Sequence, residues 1–147
     1  MKTRALVIAG IIALTVMAST RVAQAQQQMV VNIPFDFVAG TNSLPAGEYT
    51  VQVSGAAHTL ILMDRQDATA SALMNTYAVD SSKPQADSKL IFHRYGDRYF
   101  LSQVWSEGDS RGRELSKSDR EKEMALTAKI ETTGQVTLVA SLLPTNR

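Results

Sequence analysis

The chain of 147 residues contains no cysteine, only two histidines, one tryptophan and four prolines, and 6% of its residues are aromatic. Each shortage removes a class of chemistry. Without cysteine there is no disulfide framework, thiolate metal centre, cysteine nucleophile or lipid-modified N-terminal cysteine, so the fold must be held by apolar burial and backbone pairing alone. The two histidines, His58 and His93, would need carboxylates to complete a metal site, and no ligand spacing accompanies either. His58 falls in a predicted turn and His93 in mid-strand, where a hydrogen-bonded structural histidine is expected. Asp64-Arg65-Gln66-Asp67 lacks the regular oxygen spacing and the glycine of a calcium loop. No metal and no cofactor is therefore expected. The basic residues are scattered among acids and form no stripe, which argues against a nucleic-acid partner.

What the sequence does contain begins with a leader-like segment. Lys2 and Arg4 precede an uncharged, mostly apolar run from Ala5 to Thr20, and small residues follow at Ala23-Gln24-Ala25. A positive start, a short apolar core and an A-x-A site describe a secretory signal peptide over residues 1–25, because the run is short of the ~20 residues of a membrane span. An uncleaved N-terminal anchor is the alternative. Cleavage after Ala25 removes Lys2, Arg4 and Arg21 but no acid, which leaves 12 of the 15 basic residues against 14 acidic ones and a net charge of −2. Residues 26–147 are the length of one domain, carry no second long apolar run, and are expected to be exported to the periplasm or outside the cell without a further membrane span.

The patterning of residues 26–147 is that of an antiparallel β-protein. In "MVVNIPFDF" Met29, Val31, Ile33, Phe35 and Phe37 recur with period two, and Pro34 predicts an edge strand or a bulge. "LPAGEYTV" predicts a turn through Pro45 and Ala46, with Gly47 left-handed, feeding a strand whose Tyr49, Val51 and Val53 share one face. "TLILMD" predicts a strand buried on both sides, "SALMNTYAVD" one in which Leu73, Tyr77 and Val79 share a parity, and "SSKPQADS" a loop. The strongest local signal is "KLIFHRYGDRYFLSQVW", a hairpin about Gly96-Asp97 of type II′. Its register would set Tyr95 against Arg98, Arg94 against Tyr99, His93 against Phe100 and Phe92 against Leu101. One side of the ribbon would carry Leu90, Phe92, Tyr99, Leu101 and Trp105, the other Ile91, Tyr95, Phe100 and Val104. A ribbon apolar on both faces needs cover on both.

From Glu107 to Glu123 eleven of seventeen residues are charged. Its second half predicts a helix over about 118–128, with a capping box between Ser118 and Glu121 and an apolar side from Met124, Ala125, Leu126 and Ala128. "KIETTGQVTLVASLL" predicts a last hairpin about Thr133-Gly134. The whole reads as a single sandwich or barrel of about seven or eight strands with one short helix near the C-terminal end.

Catalytic signals are thin. "GDSRG", Gly108 to Gly112, satisfies the G-x-S-x-G pattern of a nucleophile elbow, but that elbow needs a strand before it, a helix after it and a large parallel sheet, so the match reads as coincidence and no catalytic residue is assigned. Any two of the fourteen acids could meet as a glycosidase pair, yet nothing sets two of them in distinct environments. Tyr95, Tyr99 and Trp105 could stack on sugar rings. Tyr99 and Trp105 are the binding candidates that share a face, but at ~3.4 Å per residue they would lie about 20 Å apart, too far to grip one ring.

Together "IPFDFVAG", "LPAGEYTV" and "RYGDRYFLSQVW" followed by "GRELSKSDREKE" resemble a family of small exported bacterial β-proteins without an assigned activity, over roughly half of residues 26–147. The resemblance implies a bacterial origin and a periplasmic or extracellular address, and carries no site residues. "LPAGEYTV" alone also looks like a turn-strand element of immunoglobulin-like and transthyretin-like sandwiches. The leading expectation is a non-enzymatic exported domain that binds a partner protein or an envelope component through a sheet edge or its charged segment. The alternatives are a carrier of a small sugar or apolar ligand, which requires a cavity, and a hydrolase built on Ser110 or an acid pair.

Overall fold

The computed structural model describes residues 27–54, 58–128 and 133–143, and these form an all-β, barrel-like domain with one helix. The strands are β1 (Gln27–Ile33), β2 (Phe37–Ala39), β3 (Asn42–Leu44), β4 (Gly47–Ser54), β5 (Thr59–Asp64), β6 (Ser71–Asn75), β7 (Tyr77–Asp80), β8 (Ser88–Tyr95), β9 (Arg98–Trp105), β10 (Arg111–Glu114) and β11 (Thr133–Leu142). The helix α1 (Asp119–Thr127) lies between β10 and β11. Eleven segments exceed the seven or eight expected because several are only three or four residues long and carry no periodic signal of their own.

The sheet runs β3-β2-β9-β8-β11-β1-β4-β5-β6. After β6 the chain turns at buried Thr76 into β7, which pairs with β10, which returns to β9. The bent β6–β7 segment thus links the far end of the sheet, through β10, back to β9, the third strand of the path. The interior is filled. Met29, Val31, Ile33, Tyr49, Val51, Leu60, Leu62, Leu90, Phe92, Leu101 and Val104 form one buried cluster, and Phe35 and Phe37 meet Phe92 edge-on at 5.3 and 5.5 Å.

Several expectations are corrected by pairing partners that lie far away in sequence. Pro34 follows the last residue of β1, which is no edge strand but lies between β4 and β11. Gly47 is not left-handed, and the true tight turn is one step earlier, where Gly40 at φ +62 lets β2 fold onto β3. A Cβ at Gly47 would sit 2.8 Å from Asp64 Oδ2, the end of a side chain that can shift aside. β5 is buried on one side only, with Leu60 and Leu62 inward and Ile61 and Met63 half-buried beside Gln52 and Thr50. In β6 and β7 the inward residues are Ala72, Met74 and Thr76, so Leu73 and Tyr77 face outward. Thr133 and Gly134 pair with Tyr95 and Arg94 within β11, so they make no turn; residues 129–132, the other half of that expected hairpin, lie outside the described residues.

The β8–β9 hairpin has the expected register at all four positions, with φ +61 at Gly96. Beyond Phe92 and Leu101 a bulge inserts Ser102, so Ile91 meets Gln103 and Leu90 meets Val104. One extra residue reverses the faces from there on. Val104 therefore joins the interior, and Trp105 turns to the outside, where its ring lies over Gly112. A Cβ at Gly112 would stand 2.6 Å from the indole. On the outer face of the ribbon Val38, Tyr95 and Phe100 are covered by Met124 of α1 and by Ala128, which caps its C-terminus, the external layer that an apolar ribbon needs.

Candidate functional site

The charged segment is built into the barrel. Arg111–Glu114 form β10, Gly112 and Arg113 are buried, and Leu115 donates its N–H to the bulged Ser102 carbonyl. Ser110 is exposed, precedes a strand instead of a helix, and its hydroxyl has no hydrogen-bond partner among the described residues. The geometry of a nucleophile elbow is thus absent around it.

At the N-terminus of α1, Ser118 Oγ accepts the Glu121 N–H at 3.2 Å, the first half of the expected capping box. The second half is diverted. Glu121 is buried, and its carboxylate lies 2.7 Å from His93 Nδ1 while accepting the Tyr95 hydroxyl at 3.3 Å. Burial and that carboxylate raise the Tyr95 phenol above its ordinary pKa. His93 is thus a structural partner holding the helix on the ribbon. His58 sits at φ +52 where β5, β6 and β10 converge; its carbonyl accepts the Thr76 N–H and hydroxyl, and its Nδ1 lies 3.1 Å from Arg113 Nη1. Among the described residues no group of three His, Asp or Glu side chains could hold a metal. Asp64 and Asp67 are used in their own turn, where Asp64 accepts the N–H groups of Gln66 and Asp67, and the Thr69 hydrogen bonds to Asp67 lower its pKa.

The two aromatic candidates are on opposite faces because of the bulge. Trp105 is buried outside the barrel wall, with Nε1–H donated to Gln103 Oε1 at 3.0 Å. Tyr99 packs against the barrel core, stacked on Phe35 at 3.8 Å, and lines an open cleft of about 390 Å³ with Asp36, Ser43, Asp97 and Arg98. A second open cleft, of about 370 Å³, lies by Ser106, Asp109, Arg111 and Arg113.

Compared with family models, with curated proteins and with solved structures, the chain matches none.

The remaining candidate is a backbone surface. β6 ends the sheet path and pairs only with β5, so the other edge of Ser71–Asn75 meets no strand among the described residues. The opposite end of the path, β3, has three residues and stops at Pro45, a protected edge. β6 has no such protection. It carries no charge and no proline, and Leu73 on it is 66% exposed. Sequence reasoning could not locate this edge, because strand order is not a local property. The usable hint was the absence of lysine from "SALMN".

Proposed function

We propose that this chain is an exported, non-catalytic β-domain of the cell envelope or its exterior that binds a partner protein by accepting an extended segment along β6. The observation that carries the reading is the unprotected β6 edge, five residues of uncharged strand whose outer side pairs with no strand among the described residues. Such an edge offers alternating N–H and C=O groups to an added strand, and its exposed side chains select the partner's residues. The occupant should be an extended, uncharged segment with an apolar residue beside Leu73. A charged segment would find no counter-charge on Ser71, Leu73 or Asn75. Export rests on the leader-like residues 1–25 and on the resemblance given above, and an exported form whose intact mass begins at Gln26 would support it.

A small-ligand carrier is less well supported, since the interior is occupied by Phe92, Tyr49 and the leucines around them. The test is selection of extended peptides from a displayed random library. Binders should be uncharged and alternating, should slow amide exchange at residues 71–75, and should lose binding at least tenfold on Leu73→Lys. Binders that protect another surface, or that ignore Leu73→Lys, would overturn the reading.

A further inference from the structure

β2 and β9 run parallel, but their ladder has one register position, Val38 opposite Phe100. Before that position the two strands separate, and the space between them is the cleft of about 390 Å³. That volume falls in the range of small-ligand sites, ~300–1,000 Å³. Its apolar floor is Pro45 and the half-buried Tyr99, because Phe37 and Leu44 are turned into the barrel core and Val38 lies beneath α1. Its rim is polar and mixed in sign: Asp36 and Asp97 accept, Arg98 donates and the Ser43 hydroxyl does both.

Parts of this rim are held in place. Asp36 Oδ1 accepts the Ala46 N–H at 2.9 Å, and Arg120 of α1 reaches Ser43 Oγ at 3.5 Å. Tyr99 is fixed by its stack on Phe35. Asp97 and Arg98, by contrast, have side chains with no hydrogen-bond or ion-pair partner among the described residues. Two carboxylates and a guanidinium around one opening favour neither a simple anion nor a simple cation. They suit hydroxyl groups, each of which donates to a carboxylate and accepts from a guanidinium, while the C–H face of a ring rests on the apolar floor.

We propose that this cleft binds a neutral carbohydrate ring, with Asp36, Asp97, Arg98 and Ser43 reading its hydroxyls and Pro45 and Tyr99 carrying its C–H face. The site is independent of the β6 edge. The experiment is a nitrogen-15 NMR titration of the whole chain with chitobiose and with maltotriose, with sodium acetate and spermidine as ionic probes. Saturable shifts confined to the amides of residues 36–45 and 97–99 with at least one sugar are expected, and Asp97→Ala and Arg98→Ala, both exposed, should each weaken that affinity about tenfold without moving the melting temperature. Overturning results are no saturable shift with either sugar, sugar shifts that both variants leave unchanged, or saturation of these amides by acetate or spermidine in place of sugar.

Discussion

The β8–β9 ribbon and the β5–β6 pair are both rich in apolar residues, yet one is covered on both faces and the other lies open along one edge. In β8–β9 Leu90, Phe92 and Leu101 enter the barrel while Tyr95 and Phe100 lie beneath α1. In β5–β6 Leu60, Leu62, Ala72 and Met74 face inward, but Leu73 stands in solvent and the outer edge pairs with no strand among the described residues. Apolar content alone therefore does not separate a covered strand from an edge strand. What separates them is whether another segment of the chain returns to cover them.

The sharpest way to break the comparison is to truncate equivalent apolar residues in the two regions. Phe92→Ala should cost about 3–5 kcal/mol in urea unfolding, because it opens the contact among Phe35, Phe37 and Phe92. Next in size is the latch that provides the ribbon's outer cover. Glu121→Ala should cost about 1–3 kcal/mol by stranding His93 and Tyr95, with faster amide exchange across α1; exchange confined to the helix would show that it opens separately from the barrel.

A third effect lies in the alkaline range. Burial, then the Asp64 carboxylate, push the Tyr49 phenol from 10.0 up to about 12. The folded state keeps the proton that the unfolded state releases, so this contribution is intact below pH 10.0 and is lost as the pH rises towards about 12. Tyrosinate absorbance should show a phenol titrating at about 12 that Tyr49→Phe removes, and the same substitution should flatten the corresponding fall in stability. The smallest change is expected at the open edge, where Leu73→Ala should alter stability by no more than about 0.5 kcal/mol. A larger cost would mean that β6 is covered after all, and the two regions would cease to differ.

Much of this was legible because it is local. The turn at Gly96-Asp97 set the register of the strongest hairpin, and Ser118 announced the helix start three residues before Glu121. The errors have one common cause. Gly47, Thr133 and the Trp105 face were each read from neighbours in sequence, whereas pairing with Ile33, pairing with β8 and the Ser102 bulge decided them. Of the two aromatic candidates, Tyr99 does line a cleft, but its companions Asp36 and Ser43 come from the β1–β2 connection and β3, more than fifty residues earlier. No spacing rule could have joined them.

By itself the sequence determined that this domain is all-β, held without disulfides, with a helix late in the chain, since period-two alternation, turn residues and a capping serine act over a few residues. Only the tertiary structure decided that β6 is an open edge among the described residues, that Glu121 serves His93 and Tyr95 in place of its own cap, and that Asp36 and Arg98 line one cleft. Those outcomes depend on which distant segments pair, and a chain records its own alternation far more plainly than the strand order that leaves an edge or a cleft unfilled.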